Sequence, residues 1–394
     1  MQDVLSKYPP VKLGEKLQSS RKNAGFTQQD VAEELGMART SITAIENGDR
    51  NISPEELVKL CRMYNRKVSD IIEELQFETE PFRVQFRSMW KKRDQYAEEI
   101  KEAILRFERL CRKAYKLEQL LKKPLRKYYP PEYALPHRDI EQEAEHLARQ
   151  ERNRLGLGDA PIGSMRDLLE FEVGIRVFFI PMPSSISEIY TYDEKLGACM
   201  AVNARHSNSP GRQRFSMAHG YVHFLVHRHD KIVDEVERRN RSKQEQLADR
   251  FSPHFLMPDS AIQKLYHHSQ LQNGEFQVSD LFNMAYYFGV SIQALVRRLE
   301  ELELVKRGIL EEIQYSGHKI GDIWDSLNIP GLKEKERLDT YPKDFENNLH
   351  QAWVNGDITE SQLADILDVD VITARDFVNR KFTYSNEGDT VQYS

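Results

Sequence analysis

The chain has 394 residues, of which 40% are hydrophobic and 30% charged, with a net charge of −6. That length exceeds a single compact core, so about two to four domains are expected. There is no run of about eighteen apolar residues and no apolar signal core in the opening MQDVLSKYPPVK, so the expected location is cytoplasmic and membrane partners are excluded.

Taken in chain order, residues 11–74 read as five short helices with tight connections. One long helical pattern runs from Ser88 to Lys122 and stops at Pro124 and the YYPPEY turn. Helices are expected at 138–155 and 164–173, then a strand at 174-GIRVFFIPMP-183 and a second β-rich stretch at 186-ISEIYTYDEKLGACMAVN-203. A helix covers 215-FSMAHGYVHFLVH-227. Another, at 241–256, is closed by Met257-Pro258, two more lie in 277–305, and a small helical unit spans 343–382. No repeat period suggests a solenoid. The expected fold is mainly α with a small β-sheet (α+β). Its segments are 1–75, a basic linking helix at 76–130, an α+β region at 131–310, and a helical unit with a flexible tail at 311–394.

The stretch 26-FTQQDVAEELGMARTSITAIENGDR-50 has helix-turn-helix spacing. Thr27 can cap a helix over Gln28–Leu35, and Gly36 supplies the left-handed turn that a β-carbon would obstruct. A second helix, Arg39–Glu46, buries Ile42 and Ile45 and leaves Arg39, Thr40, Ser41, Thr43 and Ala44 on its open face. Such a face fits a major groove, where arginine pairs with guanine and threonine touches thymine methyls. Gln28, Arg39, Thr40, Ser41, Thr43, Asn47 and Arg50 form the expected DNA-binding set, with Asn47 and Arg50 placed for phosphate. The bland alternative is a small bundle that binds protein. Residues 13–72 resemble the Cro/repressor-type (XRE) helix-turn-helix domain, which implies a double-stranded operator as partner. Residues 1–74 carry 11 Lys+Arg against 12 Asp+Glu, so one copy gains little from counterion release, and a homodimer on two half-sites is expected.

Residues 82–128 carry 15 Lys+Arg against 6 Asp+Glu, which confines any nucleic-acid role to the N-terminal third. Within them Tyr96, Ile100, Ala103, Phe107, Leu110, Ala114, Leu117 and Leu121 alternate spacings of four and three, an a/d seam. Its outer faces carry Lys101, Arg106, Arg109, Arg112, Lys113 and Lys116. The seam is either a dimer device with a basic flank or, more commonly in mixed proteins, internal packing. The three cysteines, Cys61, Cys111 and Cys199, are too few and too far apart for a disulfide framework or a cysteine metal knuckle.

On the apolar helix 215–227, His219 and His223 are four residues apart and share one face. A zinc peptidase needs three protein ligands and an open fourth position. A candidate third is Glu245 in 245-EQLADRFSPHFLMP-258, where small Ala248 permits close helix approach. Two imidazoles and a carboxylate suit Zn²⁺. The pieces 172-EVGIRV-177, 199-CMAVN-203, 212-RQRFSMAHGYVHFLVH-227, 245-EQLADRFSPHFLMP-258 and 290-VSIQALVRRLEELELV-305 resemble the ImmA/IrrE family of zinc metallopeptidases. The resemblance implies His219, His223 and Glu245 as metal ligands. It places the general base at 220, where this chain has glycine.

Without that base the metal-bound water lacks its proton acceptor, a loss of about 10²–10⁴ in rate. No catalytic residue is therefore assigned. Either the centre has become a sensor, or a glutamate was exchanged for glycine to silence it. Glu188, Tyr190, His227 and His254 are conceivable substitutes, while Tyr221 points away by helical phase. The structural alternative, a pair of packed histidines, stands beside these.

The segment 345-FENNLHQAWVNGDITESQLADILDVDVITARDFV-378 suggests a second helix-turn-helix-like unit with Ile358, Leu363 and Leu367 inward. Its acidic surroundings favour protein packing or dimerisation over base reading. The leading expectation is a DNA-binding transcriptional regulator whose peptidase-like domain senses a peptide, a partner protein, a small molecule or zinc. The competing expectations are a zinc metalloprotease that cleaves a repressor or toxin, and the antitoxin of a toxin–antitoxin pair.

Overall fold

Thr27 and Ser53 start two N-terminal helices by the same chemistry. Each side-chain oxygen accepts the amide of the third helical residue, Asp30 or Glu56, whose carboxylate accepts the capping residue's own amide. The four helices are α1 (Pro10–Asn23), α2 (Gln28–Leu35), α3 (Arg39–Asn47) and α4 (Pro54–Met63). Between α2 and α3, Gly36 is left-handed (φ 63°), and the Met37 amide returns to the Ala32 carbonyl at 2.9 Å, a glycine-dependent stop. The computed structural model describes residues 9–66, 97–123, 128–134, 139–183, 186–205, 210–226, 243–315, 341–367 and 369–382, with positions 68, 71 and 228. The expected fifth helix falls largely outside the described residues.

Two compact units separate, Met1–Val84 with Arg112–Lys123 and Asp344–Ser394, and Gln85–Cys111 with Pro124–Lys343. The first has a core of Leu13, Leu17, Val31, Ile42, Ile45, Leu57 and Leu60. It also contains the C-terminal helices, mainly Lys343–Val354, then Glu360–Leu367 and Val371–Phe382, with Ile358, Leu363 and Leu367 buried as their spacing implied. Asp365 joins these to the N-terminal helices, accepting from Asn23 Nδ2 at 3.2 Å and pairing with Arg66 at 3.5 Å. The C-terminal unit is therefore packed within this body, as its acidic character suggested.

The long helix α5 (Ala97–Leu120) gives its early residues to the second unit and its late ones to the first. Ile100, Ala103, Phe107, Leu110, Ala114 and Leu117 are all buried within one chain. Those apolar positions are covered within the chain, which is the internal packing given above as the commoner reading of the seam. Part of the basic flank is committed too: the Lys113 ammonium donates to the Asp365 carbonyl. Tyr96 lies outside the described residues.

In the second unit β1 (Arg176–Ile180), β2 (Glu188–Asp193) and β3 (Gly197–Asn203) form a sheet of order β1-β3-β2, β1 parallel and β2 antiparallel to β3. Every residue of β1 and of central β3 is buried, while β2 alternates at the edge. One face carries Phe178, which meets Phe107 of α5 edge-on at 6.0 Å. On the same side Cys111 and Cys199 are hydrogen-bonded, and burial, then that bond, pushes the Cys111 thiol well up. All three cysteines are free and buried.

The other face carries Glu188, Tyr190, Ala198, Met200 and Val202, with Tyr190 directly opposite Met200. Against it lies α7 (Pro210–Val226), and behind that pack α8 (Lys243–Leu256) and then α6 (Ile140–Arg154), each by its apolar face. The segment expected as a helix at 164–173 is a short α-turn, Met165–Asp167, widened into a π-helix over Leu168–Val173. A helix that the periodicity did not reveal, α9 (Asp259–Asn273), buries only Ala261 and Ile262 along its length. The last helices of this unit are α10 (Val278–Phe288), α11 (Ile292–Glu301) and α12 (Ile309–Tyr315). The observed class is α+β, mainly α, with one three-stranded sheet among the described residues.

Candidate metal centre and nucleic-acid interface

Helix α7 is buried on nearly all sides, from Met217 and Ala218 to Phe224 and Leu225. It lies against the sheet and packs on α8, where fully buried Ala248 allows close approach. Helical phase then turns His219 and His223 toward Glu245 of α8. His219 Nε2 is 3.4 Å from Glu245 Oε2, and His223 Nε2 is 3.2 Å from Glu245 Oε1. The three residues offer donor atoms that all lie within 4.8 Å of one another. Four-coordinate bonds of about 2.0–2.2 Å imply ligand–ligand edges of about 3.3–3.6 Å, so nitrogen and oxygen donors stand at separations that fit a small divalent cation.

Glu188, one of the conceivable bases, sits behind this arrangement. Its Oε1 lies 2.8 Å from His219 Nδ1, the ring nitrogen opposite the one facing Glu245. A carboxylate there fixes the ring's orientation and tautomer. Burial pulls His219 down, but the bonds to Glu188 and Glu245 and their charges outweigh it and push the imidazole up to about 10. Burial raises Glu245, and its contacts with both histidines more than reverse that, holding it well below the usual carboxylate range.

The other conceivable bases are elsewhere. Tyr190 is a buried phenol whose burial pushes it well up. Tyr221 donates its hydroxyl to Glu151 at 2.5 Å, away from the histidines, in accord with its helical phase. His254 is held by Glu141 at 2.8 Å and Asp259 at 3.2 Å. His227 lies outside the described residues. Asp249, which the sequence reading passed over, has Oδ1 3.7 Å from His219 Nε2. Its signal was available: it lies four residues beyond Glu245, on the same helical face.

Gly220 faces the sheet. A β-carbon there would stand 2.7 Å from Met200 Cε, 3.2 Å from its Sδ and 3.7 Å from Glu188 Cγ. The volume that a side chain at 220 would need is therefore taken by a fully buried methionine. Gly220→Ala gains up to about 1 kcal/mol of helix propensity, against about 1–3 kcal/mol of overpacking. The expected result is a coupling of about 0.5–3 kcal/mol with Met200→Ala, Gly220→Ala being less harmful once Met200 is shortened. Urea unfolding of the four-member cycle measures it, and additive effects would show that Met200 does not constrain position 220.

In the first unit Arg39, Thr40, Asn47 and Arg50 are exposed, and Ser41 and Thr43 are half-buried. Arg50 already pairs with Glu56 at 2.8 Å. Gln28 donates to Glu46 at 2.8 Å and accepts from the Thr43 hydroxyl at 3.2 Å, so these two positions orient one another. An open cleft of about 550 Å³ at the N-terminus of α2 is lined by Lys22, Thr27, Gln28, Gln29 and Arg39 among others. Lys22 and Arg39 bring positive charge beside this helix N-terminus, which Thr27 and Asp30 cap. Lys22 and Gln29 enter the cleft by fold alone.

Residues 172–300 match the family model described as IrrE N-terminal-like domain, and residues 17–71 match the one described as Helix-turn-helix. No curated protein sequence matches the chain. A solved Mycobacterium tuberculosis transcriptional regulator is similar at 17% identity over 47% of this chain and 51% of that one, so about half its length is spanned, with a TM-score of 0.27. No helix among the described residues is long and apolar enough to cross a membrane. The chain thus joins an XRE-type helix-turn-helix domain at 17–71 to an IrrE/ImmA-like domain at 172–300.

Proposed function

We propose that the protein is an operator-binding transcriptional regulator whose IrrE-like domain holds Zn²⁺ and serves as a sensing or partner-binding module, not as a peptidase. The observation that carries this reading is Met200 standing where a side chain at Gly220 would begin, beside otherwise intact donors. His219, His223 and Glu245 would hold the ion, and Glu188 would orient His219. Bound zinc supplies Lewis acidity and lowers the pKa of a coordinated water to about 7. Of the conceivable bases at Glu188 and Tyr190, the first is engaged with His219 and the second is a buried phenol, so neither has a free path to take that water's proton.

DNA binding rests on the exposed face of α3. Arg39 supplies the charge, with Thr40 and Ser41 beside it and Asn47 and Arg50 directed to phosphate. The N-terminal module is near neutral, so a homodimer on paired half-sites gives the affinity that one copy lacks.

The test uses the full chain and duplexes selected from a random library. Arg39→Ala is expected to weaken the selected complex by about 1–3 kcal/mol and relax its base preference. Equal binding by the variant would remove α3 as the reading helix. Metal analysis after zinc addition is expected to find zinc, lost in His223→Ala. Hydrolysis of peptides by the unaltered chain would overturn the sensor reading.

A further inference from the structure

Two helices face each other across the candidate centre, and each presents a pair of donors one turn apart: His219 and His223 on α7, Glu245 and Asp249 on α8. Three of the four are already gathered within 4.8 Å of one another. Asp249 is not in that set, yet its Oδ1 stands 3.7 Å from His219 Nε2, about one tetrahedral edge away. Its side chain is 39% exposed, against 26% for Glu245, 17% for His219 and 8% for His223. Asp249 is therefore the most solvent-exposed of the four, at the edge of the gathered three.

The geometry points to Asp249 as the fourth ligand of a divalent cation held by His219, His223 and Glu245, closing the site to water. This rests on the reading that those three bind a metal. Asp249 would offer its carboxylate to the ion directly, whereas Glu188 acts only from behind His219. Such a ligand also gives the missing base a consistent setting. With Met200 against position 220 on the sheet side and Asp249 at the exposed edge, no coordinated water remains to be activated. A closed centre is the form that structural zinc sites take.

The experiment loads the full-length chain with Co²⁺ and follows its visible absorption across about pH 6.5–8.5, the range in which a metal-bound water would ionise. The unaltered chain is expected to show a spectrum that does not titrate. Asp249→Ala is expected to bind Co²⁺ at least about 10-fold more weakly and to gain a transition near pH 7 from the water that enters. Asp249→Asn, which keeps the side chain's shape, is expected to weaken binding in the same direction.

Unchanged affinity and spectrum in both variants would overturn the assignment. So would a pH transition in the unaltered chain that matches that of Asp249→Ala. Failure of the unaltered chain to bind Co²⁺ any better than His223→Ala would instead overturn the metal reading beneath it.

Discussion

Glu151→Ala is expected to cost about 3–5 kcal/mol, lowering the melting temperature of the second unit by about 6–20 °C. Glu151 lies on α6 with no exposed surface. Its carboxylate accepts from the Tyr133 hydroxyl and the Tyr221 hydroxyl, each at 2.5 Å, and from Arg154 through Nε at 3.0 Å and Nη2 at 2.8 Å. Removing it leaves the buried Tyr221 phenol, the half-buried Tyr133 phenol and part of a guanidinium without an acceptor, so the cost is that of stranded donors and exceeds the worth of one bond.

The consequence reaches the metal centre, because Tyr221 follows Gly220 on α7 and this cluster anchors that helix to α6. Tyr133→Phe, which removes a single donor, is the control and is expected to cost about 1 kcal/mol. Calorimetry of both variants checks the ratio. A Glu151→Ala effect no larger than that of Tyr133→Phe would show that the cluster relaxes freely.

Arg21→Ala is expected to be of similar size in the first unit, about 3–5 kcal/mol, and to abolish operator binding with it. Arg21 of α1 holds Glu46 of α3 through Nε at 2.6 Å and Nη2 at 3.0 Å, and its Nη1 donates to the Phe26 carbonyl at 2.8 Å. Both side chains are buried. Glu46 also receives Gln28, so the arginine fixes the helix expected to read bases and the start of α2 beside it.

The pH dependence has a definite sign. Burial raises the Glu46 carboxyl, but the bonds from Arg21 and Gln28 outweigh it and hold it below its ordinary value. A depressed folded-state value gives stability that is present at neutral pH and lost as pH falls through the carboxylate range. The gap between the unaltered protein and Arg21→Ala is therefore widest near pH 7 and narrows in acid. Urea unfolding at a series of pH values measures it, and a gap independent of pH would show that the ion pair is not what Arg21 supplies.

Much of the fold was readable because local signals agreed with their surroundings. Thr27 and Gly36 mark helix boundaries through bonds to neighbours a few residues away, and those bonds form wherever the segment sits. The helix α9 was not readable, since it shows almost no apolar face and is fixed chiefly by Ala261 and Ile262 meeting the core. The seam of α5 had the right spacing but an undetermined partner. Period tells which residues share a stripe and says nothing about what covers it.

The same division runs through the candidate site. Residue order alone pointed to one helix-turn-helix at the N-terminus, a pair of histidines on one side of a helix, a carboxylate at helical phase to meet them, and a glycine where a base would stand. Contacts between distant segments decided the rest: that Phe107 and its neighbours are covered within the chain, that Glu188 lies behind His219, that Met200 fills the space beside Gly220, and that Asp249 looks into the same centre. Spacing along a helix sets direction through covalent geometry over a few residues. Which groups stand opposite depends on how strands and helices far apart in the chain pack, and close packing leaves each of those places to one occupant.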